Sequence, residues 1–549
     1  MTNKNASLEP MVLGLGGSGH EWASCVSNGN LLTAIAEERT TRKKYGLGAD
    51  LLAAESRAAC LKSIDATVGD LDKIVACDLV PRPFYFSLRK NTDIINHHLA
   101  HAYSAFATSG LEKAAILIVD NSGSVLGGSK TGTEREVETI SMYDAGPDGI
   151  KLIDKISGTH YLNAKTESDY FQAGQTSNSL GHFYRSASLS LGFSFSDPNG
   201  HGVFSEDGKT MGLSPYGDDR FVDDLGGLIN LTKTGVECDA RRIDLLMSTM
   251  SKNTCFEHRA ALAYATQYHL ERAILHLARR LYDLTKHENL CIAGGVGLNS
   301  VANGKLVDES PFKHIYVPPA PSDDGISIGC TAYGLWEHTG SKPVFSRSAY
   351  LGPQWKDADN LSAIEDMGVA WVRPDDLIKT VSEKLCRGHV VAWWQGRSEF
   401  GPRALGNRSI LALPRPGFVR DKLNHEMKKR EWFRPYAPMV PEERKDEYFD
   451  FSNDSPHMSF VAKVKKPDDL PAATHVDGTA RLQTIRQSEN PRMHALLEAV
   501  GEETGTPILL NTSFNLAGEP IVESSADAIR SAKSLSIVYL VLGNYLVTL

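Results

Sequence analysis

The feature that most constrains this chain is a strand–glycine-turn–strand block that occurs twice. Residues 11–37 contain an apolar strand, a glycine-rich turn and two further apolar runs separated by the hairpin signal Asn28-Gly29. The second block, AAILIVDNSGSVLGG, occupies residues 114–128 and again ends its apolar strand at a polar turn. Two such blocks favour a duplicated α/β core.

Farther along the chain, residues 255–288 repeat apolar positions every three or four residues and predict one or two long amphipathic helices. Around residues 338–356 this periodicity is lost, and Gly, Ser and Pro cluster in HTGSKPVFSRSAYLGPQW. Because such composition is typical of a linker, we place a domain boundary there. The predicted domains are residues 1–345 and 346–549.

Composition excludes several classes of protein. Hydrophobic residues make up 41% and charged residues 23% of the 549, which excludes a disordered or fibrous chain. Lys and Arg number 58 and Asp and Glu 67, so the formal net charge is −9. An acidic chain has no general attraction for a phosphate backbone, so we expect no nucleic-acid partner.

The same survey predicts a compartment. No apolar run is long enough for a membrane span, and the N-terminal segment lacks the features of a signal peptide, so we expect a cytoplasmic protein without membrane attachment. The eight cysteines are scattered, and no two of them form a C-x-x-C motif. They are therefore expected to be buried, reduced thiols.

A histidine pair marks the first candidate site. In INHHLAHAYSAF, His97 and His101 are four residues apart, so a helix would place both imidazoles on one face. Asp120 and Asp323 follow apolar strands and could complete a set of two nitrogen and two oxygen ligands, which suits a divalent transition metal. An isolated pair of this spacing more often caps a helix or lies in a core. His98 points away from His97, which favours a structural role.

Two glycine-rich turns are weaker signals. GGVGLN (294–299) follows an apolar strand and precedes a helix, where backbone N–H groups can approach a phosphate or a ribose. EDGKTMGLSPYG (206–217) combines glycines with Lys209. An ordinary turn and an ordinary surface loop are the competing interpretations.

A dense basic segment suggests an anion site in the second domain. Residues 393–415 and 425–438 interleave arginines and lysines with glycines, prolines and aromatic residues. Arg offers bidentate phosphate recognition and Lys a point charge, so this clustering in an acidic chain favours a pocket over a basic RNA-binding face. Polar side chains at the end of the strand in LLNTSFN (509–515) would contribute donors.

Together these segments resemble the O-carbamoyltransferases of the NodU/CmcH family, which act in nodulation-factor and antibiotic biosynthesis. The resemblance runs nearly end to end, and its motifs occur in the family's order. The motifs are NHHLAHAYSAF, GKTMGLSPYG, GGVGLN, GRSEFGPRALGNRSIL, KKREWFRPYAP and LLNTSFN. Some of these pieces are weak alone, but the combination is specific.

The resemblance implies a two-domain α/β protein. Residues 1–345 would be TsaD-like, with an actin/hexokinase-like duplicated α/β fold, and residues 346–549 would form a YrdC-like α/β domain. It also implies two chemical steps. The second domain would join carbamoyl phosphate to ATP, giving carbamoyl adenylate and pyrophosphate. The first domain would transfer the carbamoyl group to a small-molecule hydroxyl and release AMP.

Site residues carry over from the family by position. The metal ligands would be His97, His101, Asp120 and Asp323, with Fe²⁺ as the expected metal and Mg²⁺ accompanying ATP. The positions expected to act on carbamoyl phosphate and nucleotide are Arg403, Lys428, Arg481 and Ser513. Further binding positions for nucleotide or carbamoyl phosphate are Lys209, Gly294, Gly295, Asn299, Arg408, Arg430, Arg434, Asn511 and Asn515.

His20 matches the family's early histidine, and the resemblance assigns it the role of general base on the acceptor hydroxyl. A turn histidine is the alternative. The chain departs from the usual pattern at Glu21, where Asp is usual, at Tyr45, where His is usual, and at Asn121-Ser122. The first two positions lie where the acceptor is expected, which points to an unusual acceptor.

Two other functions stay open at this point. One is a tRNA threonylcarbamoyl-type transferase, which the acidic charge balance and the fused second domain argue against. The other is a non-catalytic nucleotide- or metal-binding protein of the same fold, which the intact set of His, Asp, Lys and Arg positions argues against. The identity of the acceptor is unresolved, and a homodimer is left open.

Overall fold

The computed structural model describes residues 10–29, 31–128, 134–161, 174–196, 203–415 and 417–549. Among these residues, the first strands of the chain form one sheet. These strands are β1 (Val12–Gly16), β2 (Ala23–Ser27), β3 (Leu32–Ala36), β4 (Lys73–Cys77) and β5 (Thr92–Ile95). The helices of this region are α1 (Glu37–Thr41), α2 (Glu55–Ser63), α3 (Pro83–Phe86) and α4 (His97–Ser109).

The next region holds a second sheet and two short hairpins. Its strands are β6 (Ala114–Val119), β7 (Val125–Gly128), β8 (Glu134–Gly146), β9 (Gly149–Tyr161), β10 (Gln175–Thr176), β11 (Ser194–Ser196), β12 (Val203–Ser205), β13 (Asn230–Thr232), β14 (Gly235–Glu237), β15 (Asn289–Ala293) and β16 (His314–Tyr316). Its helices are α5 (Leu180–Ser190), α6 (Asp207–Leu213), α7 (Val222–Gly226), α8 (Ala240–Met250), α9 (Phe256–Thr285), α10 (Ser300–Glu309) and α11 (Ile326–Thr339). The periodicity of residues 255–288 therefore gives one helix, α9.

The two sheets have the same strand pattern, which confirms the predicted duplication. The first runs in the order β3-β2-β1-β4-β5, and the core of the second runs β9-β8-β6-β15-β16. Strand β1 pairs antiparallel with β2 and parallel with β4, and in the same way β6 pairs antiparallel with β8 and parallel with β15. Asn28-Gly29 lies in the turn between β2 and β3, which pair antiparallel as expected.

Helices α4 and α11 lie between the two sheets. Helix α11 packs on β1 and β4 of the first sheet, while α4 packs on β6 and β15 of the second and against α11. Strand β6 is buried on both faces, because its alternate residues face two different apolar clusters. The helix that ends each repeat thus packs on the sheet of the other repeat.

The second half of the chain forms a ten-stranded sheet in the order β17-β26-β25-β18-β19-β24-β20-β23-β22-β21. Its strands are β17 (Ala370–Val372), β18 (Val391–Trp394), β19 (Arg408–Ala412), β20 (Ala437–Pro441), β21 (Phe449–Asp450), β22 (Phe460–Val464), β23 (Thr479–Ile485), β24 (Leu509–Ser513), β25 (Tyr539–Leu542) and β26 (Tyr545–Thr548). Its helices are α12 (Asp357–Asp366), α13 (Leu377–Cys386), α14 (Phe418–Asp421), α15 (Lys445–Tyr448), α16 (Pro491–Thr504) and α17 (Ser525–Ser534). This mixed architecture confirms the predicted α/β class; the boundary at 345/346 stays a prediction.

The exposure of the cysteines differs from the sequence analysis at two positions. All eight cysteines are free, as expected, but Cys255 is exposed and Cys386 half-buried, so the prediction that every thiol is buried was wrong for these two. Both lie at helix ends, where the chain turns back toward solvent. In the part of the chain that the structure describes, no helix is long and apolar enough to cross a membrane.

The close approach of α4 and α11 gives a stability prediction. A Cβ at Gly329 on α11 would overlap the carbonyl oxygen of Ala100 on α4 and lie 3.0 Å from the backbone nitrogen of Ser104. We expect Gly329→Ala to lower the free energy of unfolding by about 1–3 kcal/mol, as overpacking does. Urea denaturation measures this change. The matched control is Gly69→Ala on the surface, where the nearest atom would be 3.5 Å away, and equal stability of the two variants would contradict the close packing.

Candidate functional site

The structure brings His97, His101, Asp120 and Asp323 together between the two sheets. All four side chains are buried, and their ligand atoms lie within 4.8 Å of one another. The histidines come from the first two turns of α4, Asp120 from the end of β6, and Asp323 from the turn before α11. The helical spacing predicted the histidine pair, and the strand ends predicted the carboxylates.

The geometry of this cluster fits a metal ion. His97 Nε2 lies 3.3 Å from Asp120 Oδ2 and 3.5 Å from Asp323 Oδ1, and His101 Nε2 lies 3.4 and 3.5 Å from the same two oxygens. Tetrahedral ligands at bond lengths of about 2.1 Å are about 3.4 Å apart. Two imidazoles and two carboxylates could therefore hold one divalent transition metal.

The electrostatics of the cluster follow from burial and close pairing. Burial alone would raise the pKa of the Asp120 carboxyl, but the two imidazoles beside it hold that pKa well below its ordinary value. Burial alone would lower the pKa of His101, but the neighbouring Asp120 and Asp323 raise it to about 9. The carboxylates are thus kept in the ionised form that a metal requires.

A network at the N-terminus of α4 fixes the histidines. Asn96 caps the helix by accepting a hydrogen bond from Leu99 N at 3.0 Å. Glu138 on β8 is fully buried and accepts hydrogen bonds from His98 N at 2.9 Å and Ser124 N at 3.0 Å. The same carboxylate accepts from the Asn96 side chain at 3.0 Å and pairs with Lys155. These contacts satisfy N–H groups that a helix start leaves without partners.

Behind the cluster, Cys77 contacts His97. The Cys77 Sγ atom, at the end of β4, lies 3.3 Å from His97 Nδ1, so the ring is held with Nε2 toward the carboxylates. Burial raises the pKa of this thiol to about 12, which keeps it neutral. His98 instead bonds Ser141 Oγ at 2.8 Å, in agreement with the structural role predicted for it.

The glycine turn after β15 lies beside this cluster. Gly295 N donates to Asp120 Oδ1 at 3.3 Å, and Gly294 adopts a φ of +88° close to the backbone of Val119. Asn299 caps α10 through Ala302 N at 2.9 Å and pairs with Gln267 at 2.9 Å. Gly295 therefore contacts a predicted metal ligand and Gly294 packs on the strand residue before it, whereas the Asn299 side chain is engaged in structural hydrogen bonds.

His20 lies at an aromatic wall next to the cluster. Its ring centroid is 5.3 Å from that of Phe204 and 6.2 Å from that of Tyr45, and all three rings are partly exposed. Glu21, which accepts from Ser322 Oγ at 2.6 Å, links this wall to Asp323. Burial and the charge of Asp323 raise the pKa of Glu21. The two positions that depart from the family pattern, Glu21 and Tyr45, thus flank His20.

The second half contains a cluster of cations with little counter-charge. Burial and the charges of Arg403, Arg430 and Arg434 hold the pKa of Arg481 well below its ordinary value. Burial and Arg434 lower the pKa of Arg403 to about 10. Among the described residues, neither the Arg403 nor the Arg481 side chain donates a hydrogen bond or pairs with a carboxylate, and Arg481 Nε is buried without a partner. Such a group of guanidinium ions could hold an anion.

Lys428 extends this cluster to the end of β24. Its ammonium group donates to Ser513 O at 2.8 Å, Asn515 O at 2.7 Å and Asn515 Oδ1 at 2.8 Å. Burial and the charges of Arg430, Arg434 and Lys44 hold the pKa of Lys428 well below its ordinary value. Ser513 Oγ donates to Asn515 Oδ1 at 2.7 Å, so these three predicted residues form one polar corner.

Three other predicted positions lie outside this corner. Arg408 is fully buried, donates to the carbonyl groups of Gln395, Asn407 and Gly396, and stacks on Trp394 at 4.0 Å. The Asn511 amide donates to Ala404 O and Gln483 Oε1. Lys209 pairs with Glu206 at 2.5 Å and Glu431 at 2.7 Å. The structure therefore gives each of them protein partners.

Sequence reasoning missed several residues that hold these sites. Glu138 and Cys77 support the histidines, and Glu431 joins Lys209 of the first half to Arg434 at 3.7 Å. The sequence feature that could have indicated Glu138 is a charged residue inside the otherwise apolar part of β8. For Cys77 the available signal was its position as the last residue of an apolar strand. Glu431 gave no signal, because its partners are distant in sequence.

Two family models match this chain, one in each half. Residues 73–332 match the family described as "Carbamoyltransferase N-terminus", and residues 382–548 match "Carbamoyltransferase C-terminus". Nodulation protein NolNO of Sinorhizobium fredii is 33% identical over 96% of this chain and 78% of its own length. The 3'-hydroxymethylcephem-O-carbamoyltransferase of Amycolatopsis lactamdurans is 36% identical over 48% of this chain and 49% of its own.

Among solved structures, full-length HypF in its phosphate- and nucleotide-bound form is similar at 13% identity with a TM-score of 0.38. That likeness covers 61% of this chain and 56% of that one. The family matches cover most of the chain and include both the histidine–aspartate cluster and the cation cluster. The protein belongs to the carbamoyltransferase family and is a transferase enzyme.

Proposed function

We propose that this carbamoyltransferase makes carbamoyl adenylate in its second half and transfers the carbamoyl group to a hydroxyl of a small-molecule natural product in its first half. The observation that carries the proposal is the presence of two different sites in one chain. One is a group of arginines of which Arg403 and Arg481 have no carboxylate partner among the described residues, and the other is a buried set of two histidines and two aspartates. Each has the charge that one of the two reactions needs.

The cation cluster suits the first reaction. Carbamoyl phosphate and ATP are both anions, and bringing them together requires positive charge that is not already neutralised. Arg403 and Arg481 have no carboxylate partner among the described residues, and Lys428 is held beside them by backbone oxygens. Because the adenylate keeps only the α-phosphoryl group of ATP, pyrophosphate is released. The phosphoryl group of carbamoyl phosphate is transferred to water and leaves as inorganic phosphate, and the carbamate oxygen that remains forms the new bond to the α-phosphorus.

The histidine–aspartate cluster suits the second reaction. In transfer, the acceptor oxygen attacks the carbamoyl carbon, the bond to AMP breaks, and the hydroxyl proton must be removed. His20 lies beside the cluster at a partly exposed wall, where an imidazole can accept that proton. His97, His101, Asp120 and Asp323 would hold Fe²⁺ or a similar ion, which when bound would act as a Lewis acid toward developing negative charge.

The division of labour predicts opposite defects in two variants. Arg481→Ala removes a cation from the first site, so pyrophosphate release from carbamoyl phosphate and ATP should fall about 10²–10³-fold, while supplied carbamoyl adenylate is still used. Asp323→Ala should keep pyrophosphate release and lose transfer, read as the mass gain of a carbamoyl group in an acceptor screen. Asp323→Asn repeats the test with less disturbance of packing. A variant that failed at the other step would contradict the assignment.

Metal binding can be tested apart from activity. The purified protein should bind one equivalent of a divalent transition metal, measured by elemental analysis and by titration with Co²⁺ followed by absorption. His101→Ala should weaken binding at least about tenfold, because it removes one of four ligands. His314→Ala, on an exposed strand position, is the matched control. Equal binding by both variants would overturn the ligand set.

The buried lysine predicts a pH dependence. Because the pKa of Lys428 is lowered by burial and by Arg430 and Arg434, this ammonium group loses its proton at a lower pH than an ordinary lysine does. Anion binding then requires proton uptake, so the KM for carbamoyl phosphate should rise with pH, by up to about tenfold per pH unit above the lowered pKa. Lys428→Arg should move this rise to higher pH. Identical pH profiles would exclude Lys428 as the titrating group.

A further inference from the structure

The loop that carries Arg403 is held from the first half of the chain. Residues 395–407 connect β18 to β19, and Arg397 near the start of this loop donates to Leu32 O at 2.7 Å and Thr33 Oγ1 at 3.0 Å, both on β3. It also donates to Leu351 O at 2.7 Å. One end of the loop is therefore tied to the first sheet.

A second tie comes from Arg39 in α1. Its side chain is only 3% exposed, and its Nη2 donates to the carbonyl oxygen of Gly401 at 2.8 Å. Gly401 has a φ of +108°, which a residue with a side chain rarely adopts, and a Cβ there would overlap the carbonyl oxygen of Pro319. The backbone two residues before Arg403 is thus pressed between Arg39 and Pro319.

The loop is closed on its other side by Glu399. One oxygen of this carboxylate accepts hydrogen bonds from Leu405 N and Asn407 N at 2.7 Å and from Arg408 N at 3.0 Å. Arg403 lies between the residue that Arg39 holds and the residues that Glu399 holds. Its backbone position therefore depends on both contacts, while its own side chain makes no hydrogen bond among the described residues.

Arg39 also interacts with neighbouring charges. Arg408 is buried 3.8 Å from Glu523, and the other charges that act on it are those of Glu399 and Arg39. Arg39 repels Arg408, and its own counter-charge is Glu38, whose carboxylate lies 3.9 Å from Arg39 Nε. Replacing Arg39 by an apolar residue would remove this cation from Glu38 as well as the hydrogen bond to Gly401.

We infer that Arg39, a residue of the first half, is a positioning residue for adenylate formation in the second half. Its hydrogen bond to Gly401 sets the course of the loop so that Arg403 faces the cation cluster. This inference rests on the proposed function for its kinetic consequence. Independently of that reaction, we expect a substitution in α1 to change anion binding at the cation cluster of the second half.

The test is a double-substitution cycle with Arg39→Met, Arg403→Met and the combined variant. Arg39→Met should raise the KM for carbamoyl phosphate about tenfold or more, with a smaller change in kcat. Both constants are measured from the rate of pyrophosphate release. Because Arg39 acts through Arg403, the combined variant should be no worse than Arg403→Met alone. Arg39→Lys, which keeps the charge and one donor, should recover part of the loss. Arg241→Met, exposed and remote, is the control.

Calorimetry with inorganic phosphate gives a readout that needs no turnover. Arg39→Met should weaken phosphate binding about as much as Arg403→Met does, with Co²⁺ binding unchanged. Additive effects in the cycle, or wild-type phosphate binding by Arg39→Met, would overturn the inference. Absence of pyrophosphate release from the wild-type protein would instead defeat the proposed function, and the phosphate titrations would still decide the role of Arg39.

Discussion

The burial of Asp120 and Asp323 is the constraint on which the first half of the structure depends. Two carboxylates in the space between two sheets repel each other and lose their hydration, so they need compensating groups within a few ångströms. The imidazoles of His97 and His101 provide the nearest ones, at 3.3–3.5 Å. The start of α4 must therefore be held firmly, which explains why Glu138 accepts several hydrogen bonds there.

In the second half the charges that need compensation are positive. Arg403 and Arg481 are half-buried among like charges, and within the part of the chain that the structure describes Arg434 is the member of this cluster that pairs with a carboxylate, that of Glu431. Glu431 also pairs with Lys209 in the first half, so its charge is shared between the halves. The positive charge that remains opposes folding, and it is the same charge that the proposed binding of anions would use.

Local patterns predicted a good part of this molecule. The repeated strand–turn blocks gave the duplication, the i, i+4 spacing gave the histidine pair, and the strand ends gave Asp120 and Asp323. Those inferences succeeded because the periodicity of helices and strands fixes which side chains share a face or an edge. The resemblance to a family supplied the roles of the second-half cations, which composition alone could only describe as an anion site.

The features that could not be predicted from the sequence depend on contacts between distant segments. Arg39 and Gly401 are 362 residues apart, and no local pattern joins them. Arg408 and Arg403 stand in the same motif, yet the Arg408 side chain is engaged by backbone carbonyls and Glu523, while the Arg403 side chain has no such partner in the described ranges of the chain. Spacing cannot separate two arginines of one loop, because the difference lies in how the loop is folded.

The duplication divides the predicted metal ligands between its two copies. His97 and His101 follow the last strand of the first repeat, whereas Asp323 follows the corresponding strand of the second, and Asp120 follows the second repeat's first strand. Neither repeat holds all four residues. The cluster therefore exists only while the two repeats are packed on each other, so loosening α4 from α11 would disperse it without altering any of the four side chains.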